Sequence, residues 1–233
     1  MKTEVAFVVE GRPEFTSFGE EYQVEGISFS FEGKVLAKVH VIVTHDGQTG
    51  HDEILAVARD RIESLLALLH FGRGAPLQLG AVEWQGIEPQ SPVRIGLGFV
   101  KTQASLIRPI PLPPRNLVIG LDRALVLQLG WYNSGTTALW VIEKIRNYFE
   151  VLEVENVVTN GSYGIPATMR WLRNAVSHPV ISDPQIKSFL QAHIGTDQID
   201  PNNEKHIQFL ESQVECIRKE AQDILARKVA PWW

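Results

Sequence analysis

The segment Pro109-Ile110-Pro111-Leu112-Pro113-Pro114 places four prolines within six residues. Each proline fixes its own φ and removes an amide donor, so this stretch cannot continue a helix or lie in the middle of a sheet. It divides a 233-residue chain into two parts, each long enough to bury a core. The expected organisation is a first domain over 1–108, a proline-rich linker over 109–116 and a second domain over 117–233. A PxxP ligand is the alternative reading of the prolines; a semi-rigid spacer better suits a chain with no other recruitment motif.

The periodicity differs on the two sides. Before the prolines, residues 3–10 read as a strand, and residues 22–31 alternate with a slip at Glu25-Gly26 that suggests a bulge. Val35, Ala37, Val39, Val41 and Val43 alternate with Lys38, His40 and Thr44, a strong strand pattern. After the Asp46-Gly47 turn, apolar residues from Ile54 to Leu69 recur at helical spacing, until Gly72 and Gly74. Residues 77–87 and 93–100 look like two further strands. The first domain is therefore expected to be β-rich with one long helix.

Beyond the prolines the period is helical throughout. One apolar helix is expected over 117–130, ending near Gly130. Asn133 or Ser134 can cap the next, whose stripe is Ala138, Val141, Ile145, Phe149 and Leu152. Arg146 and Glu150 are spaced to pair on its exposed face. Asn160-Gly161 and Gly164 break the pattern, and Pro166 suits the first turn of a third helix. A short helix over 184–193 and a long one over about 202–228 follow. The fold class expected is α+β, a β-rich domain followed by an all-α helical bundle.

Net charge is −5, split as −4 over residues 1–114 (10 Lys and Arg against 14 Asp and Glu) and −1 over residues 115–233 (12 against 13). No global basic field recruits nucleic acid, so any polyanion must be met by a local patch, and the second half is the better place for one. The single Cys216 excludes an internal disulfide and a cysteine metal cage. His45-Asp46 and His51-Asp52 form two His-Asp pairs that could ligate a divalent ion; a polar turn leading into a helix is the favoured reading. No apolar signal region opens the sequence and no run approaches a membrane span, so no membrane partner and a cytoplasmic location are expected. Trp232-Trp233 is apolar enough to dock on the bundle or on a partner.

The third helix carries the chemistry. Ile165, Met169, Leu172 and Val176 form its buried stripe, and Arg170, Arg173 and Ser177 share a neighbouring face. Two arginines on one edge near the helix end can make a local anion site, and the helix C-terminus favours their positive charge. Pro179 disfavours the helical conformation at His178, which frees that imidazole from the helix to turn back toward Arg173 or across to a second subunit. The structural alternative is that Arg173 pairs with a carboxylate such as Glu143 or Glu150 and His178 caps a helix end.

Arg173-Asn174-Ala175-Val176-Ser177-His178 resembles the R-x4-H motif of HEPN domains, α-helical bundles that include RNases of toxin–antitoxin and antiviral defence systems. The resemblance covers roughly residues 117–233 and includes the helix order. It implies a metal-independent endoribonuclease, without cofactor, that leaves 2′,3′-cyclic phosphate ends. His178 would act as general base or acid, Arg173 would bind the scissile phosphate, and Asn174 would orient the pair. Arg170 and Ser177 are the candidate substrate-binding residues. RNA and a second copy in a homodimer are the implied partners, with a regulatory partner acting through the N-terminal domain. A non-catalytic RNA- or protein-binding bundle is the alternative.

Overall fold

A computed structural model describes residues 1–16, 22–85, 109–178 and 181–230. Strands β1 (Lys2–Glu10), β2 (Gln23–Val24), β3 (Ile27–Glu32), β4 (Val35–Thr44) and β5 (Gln78–Gln85) form one antiparallel sheet in the order β2-β3-β4-β1-β5. Their alternating residues sort to two faces. Val5, Phe7, Phe29, Val39, Val41 and Val43 are buried, whereas Glu4, Ser30, Lys38 and His40 are half-buried. Helix α1 (His51–Arg73) packs across β4 and contributes Ile54, Ala58, Ile62, Leu65 and Leu69 to the core. It passes through Gly72 and stops at Gly74, whose φ of 72° is the left-handed cap conformation. The slip at Glu25-Gly26 is a two-residue hairpin rather than a bulge. Both residues have positive φ, 47° and 81°, which matches the twist of the flanking strands. The strand expected over 93–100 and Trp232-Trp233 lie outside the described residues.

The chain divides between Leu121 and Asp122. The proline segment, expected as a semi-rigid spacer over 109–116, groups with the first unit. Proline lacks a donor but keeps its carbonyl. Pro113 accepts a hydrogen bond from the Tyr22 hydroxyl at 2.8 Å, and Ile110 accepts one from the Thr16 amide at 3.0 Å and is buried. The helix expected over 117–130 is two helices, α2 (Arg115–Ile119) and α3 (Arg123–Thr137). The second is started by Asp122, whose carboxylate accepts the Leu125 amide at 2.7 Å. Gly130 does not end α3: a solvent-facing glycine costs about 1 kcal/mol but does not stop a helix. Asn133 and Ser134 lie inside α3, so neither caps the following helix, which begins after Trp140.

The second unit consists of α3, α4 (Val141–Val158), α5 (Ala167–Ser177), α6 (Pro184–Ile194) and α7 (Glu204–Val229). Leu129, Ile145, Leu152, Leu190, Leu210 and Leu225 are fully buried at its centre. At Gly135 an added Cβ would lie 2.6 Å from the Tyr148 ring, so α3 and α4 approach closely there. A polar knot ties three helices together. Lys228 of α7 meets Glu155 of α4 at 2.5 Å and Gln128 of α3 at 2.9 Å, and Gln128 donates to Glu155 at 3.0 Å. The molecule is thus of mixed α+β class, with an antiparallel sheet preceding a helical unit.

Candidate functional site

The site is assembled where α5 packs on α4. Helix α4 ends in a Schellman turn. The Gly161 amide donates to the Asn156 carbonyl at 2.7 Å and the Asn160 amide to that of Val157 at 3.1 Å, while Asn160 and Gly161 have φ of 52° and 83°. This reversal sends the chain back along α4. Pro166 then caps α5, and Ile165, Leu172, Ala175 and Val176 turn inward, with Met169 half-buried.

The remaining edge of α5 holds the polar residues. Arg170 is exposed, and its guanidinium forms no ion pair or hydrogen bond among the described residues. With Asn174 it lines a groove of about 540 Å³ walled by Phe149, Glu153, Val157 and Ile165. Arg173 is half-buried and engaged. Its Nη2 lies 3.9 Å from Glu150 and 3.8 Å from Glu153, its Nη1 donates weakly to Asn174 Oδ1 at 3.4 Å, and its guanidinium lies 5.9 Å from the Phe149 ring centroid. The pairing with Glu150 set out as the structural alternative is thus present, with Glu153 in the place of Glu143. Burial, and next the neighbouring Glu153, push the Glu150 carboxyl above the usual carboxylate range, while Arg173 pulls it back.

The motif's end behaves differently. His178 has left the helix, with φ −121° and ψ 125°, the extended conformation favoured before proline. Its amide still donates to the Asn174 carbonyl at 3.1 Å, but its ring is exposed and makes no hydrogen bond among the described residues. Ser177, half-buried, completes the last turn. Arg170, Arg173 and Asn174 are therefore brought together beside the groove, whereas His178 stands free at the end of the helix.

Three residues of α4, Arg146, Glu150 and Glu153, join the site from outside the motif. Arg146 of α4 donates from Nη2 to the Val176 carbonyl at 2.6 Å, satisfying an orphan acceptor of the last turn of α5. The pairing of Arg146 with Glu150 along α4 does not form; each reaches across to α5. The missed signal lies in the spacing of Arg146, Glu150 and Glu153, four and three apart, which places all three on one face of α4.

The His-Asp pairs near residue 46 form a turn. Asp46 accepts from the Gln48 and Thr49 amides at 2.8 and 3.2 Å. His45 bonds to Thr3 and to the Gly47 amide, while His51 packs edge-on against Trp84. Among the described residues no three of His, Cys, Asp and Glu are gathered as metal ligands, and no helix is long and apolar enough to cross a membrane. No family model, curated protein or solved structure matches the chain.

Proposed function

We propose that the helical unit is a HEPN-like, metal-independent endoribonuclease. The observation that carries this reading is the exposed His178 ring, freed at the end of α5, the helix whose edge bears Arg170, Arg173 and Asn174. In the reaction His178 takes the proton of a ribose 2′-hydroxyl as the 2′-oxygen attacks phosphorus. The bond to the 5′-oxygen breaks as that oxygen takes up a proton, which the protonated His178 can return, and a 2′,3′-cyclic phosphate remains. Arginine stabilises the charge that grows on the phosphoryl oxygens. Arg170, which has no counter-ion among the described residues, makes the first contact, and Arg173 joins once phosphate competes with Glu150 and Glu153. Asn174 holds Arg173 in register. A second copy facing the first would double the array, so the active form is a homodimer, and the N-terminal unit restrains or triggers it in the manner of a toxin or antiviral effector.

The deciding experiment is cleavage of mixed RNA in EDTA by the full chain, wild type beside His178→Ala, with the product ends identified. Cyclic phosphate ends that disappear in the variant are expected. Equal traces from both proteins, or no cleavage by a folded, dimeric wild type, would overturn the enzymatic reading. One observation favours a second reading, a non-catalytic RNA- or protein-binding bundle: Arg173 is already held by two carboxylates. RNA binding that depends on Arg170 without any cleavage would establish it.

A further inference from the structure

A hydrogen-bonded polar array lies on the sheet of the first unit. His40 of β4 stands between Ser30 of β3 and Glu4 of β1. Its Nε2 is 2.7 Å from the Ser30 hydroxyl, and its Nδ1 is 2.6 Å from Glu4 Oε1. Strand register makes this possible. His40 sits directly opposite Ser28 on one side and Ala6 on the other, so Ser30 and Glu4 are its two diagonal neighbours. All three project from the face opposite the buried Val39 and Val41.

The order of donors follows from the groups themselves. A carboxylate only accepts, so Nδ1 carries the proton and donates to Glu4. The neutral ring then presents a lone pair at Nε2, and the Ser30 hydroxyl donates to it. A hydroxyl on an imidazole that is oriented in turn by a carboxylate is the arrangement that activates a serine nucleophile, whatever fold carries it. The His40 side chain is only 15% exposed, which shields the ring from water, while Glu4 is 33% exposed. Lys38 is the direct cross-strand partner of Ser30, but its Nζ reaches the other way, over β1, to Glu83 of β5 at 2.7 Å.

We propose that Ser30 is an acyl-accepting nucleophile, with His40 as its base and Glu4 as the group that orients His40, and that its substrates are small carboxylic esters. Ser30 Oγ adds to the acyl carbon while His40 takes the hydroxyl proton. The bond to the leaving alcohol breaks as that proton passes to it. Water, deprotonated by His40, then releases the carboxylic acid and restores Ser30. Ser28, the direct cross-strand partner of His40, is short and half-buried, which suits a small acyl group.

The test uses the full chain and a fluorophosphonate probe, with the modified residue located by mass spectrometry. Wild type should be labelled at Ser30, while Ser28, two residues away on the same face, serves as the internal control and stays unmodified. His40→Ala should slow labelling by roughly 100-fold, and Ser30→Ala should abolish it. Glu4→Gln keeps the size of the side chain while removing its charge; it should also slow labelling, and it carries the comparison if His40→Ala fails to fold. A folded wild type that is unlabelled at Ser30, equal labelling of both serines, or labelling unchanged in the folded variants would overturn the proposal. None of these outcomes depends on RNA cleavage.

Discussion

Arg146 Nη2 donates to the Val176 carbonyl at 2.6 Å, which ties the middle of α4 to the last turn of α5 two residues before His178. The contact fixes where α5 stops. A helix end with unsatisfied carbonyls frays, and fraying here would move His178 relative to Arg173.

Arg146→Ala should therefore separate stability from site geometry. The lost bond is charge-assisted and part-buried, so unfolding in urea should show a cost of about 1–2 kcal/mol. RNA cleavage, under the proposed function, should fall by a larger factor than that cost explains. Arg146→Lys should restore part of the stability, since an ammonium also donates, but less of the activity, since it lacks the planar fork. Activity in Arg146→Ala equal to wild type would show that the helix end is held by other means.

The closeness of α3 and α4 is tested at Gly135. In most helices Gly→Ala gains up to about 1 kcal/mol from helix propensity. Here the new methyl would meet the Tyr148 ring at 2.6 Å, and that ring is buried. The clash should win, and thermal or urea denaturation should show Gly135→Ala destabilised by about 1–3 kcal/mol. The double variant Gly135→Ala, Tyr148→Leu should recover part of the loss. A stabilised single variant would mean that the two helices are further apart than described.

Much of this architecture can be read from local pattern. Alternation from Val35 to Val43 gives β4, and the recurrence from Ile54 to Leu69 gives α1, because one buried face imposes one period. Pro179 correctly places His178 outside α5. What escaped depends on competition or register. Asp122 is a good cap directly before a helix, but the apolar run on both sides hides the break between α2 and α3. Asn133 looks like a cap, yet it is a buried residue inside α3. At the site, the sequence offers Arg173 either a phosphate or a carboxylate, and only packing shows Glu150 and Glu153 beside it. The Ser30–His40–Glu4 array is invisible without the pairing of three strands, since no local spacing links residues 4, 30 and 40.

His70 predicts how the first unit responds to acid. Burial, and next the charge of Arg73, depress its pKa from 6.5 to about 4. The folded unit thus holds His70 neutral at a pH where the unfolded chain would protonate it. Stability is complete above pH 6.5, falls as pH drops from 6.5 toward 4, and levels off below that. The depressed pKa corresponds to on the order of 3 kcal/mol at most. Urea titrations of wild type and His70→Gln across this window should show a steeper loss in the wild type. Parallel curves would show that other groups govern the acid response.

The carboxylates around Arg173 yield the sharpest prediction for the site. Because the Glu150 pKa is raised, chiefly by burial and then by Glu153, its folded carboxylate is less comfortable than its unfolded one. Any stability that the protonated form contributes is lost as pH rises above 4.5, so at neutral pH the charge is a small cost. Glu150→Gln should leave stability unchanged or slightly improved, despite losing an ion pair of 3.9 Å, since such half-exposed pairs contribute little. Its effect on binding should be larger. Glu150→Gln with Glu153→Gln releases Arg173 and moves the net charge from −5 to −3, the change being +2. Binding of a short single-stranded RNA should tighten several-fold at low salt, and the gain should shrink as salt rises. Adding Arg173→Ala to the double variant should erase the gain, which ties it to that guanidinium rather than to net charge. Weaker binding by the double variant would mean that Glu150 and Glu153 position Arg173 for RNA instead of competing with it.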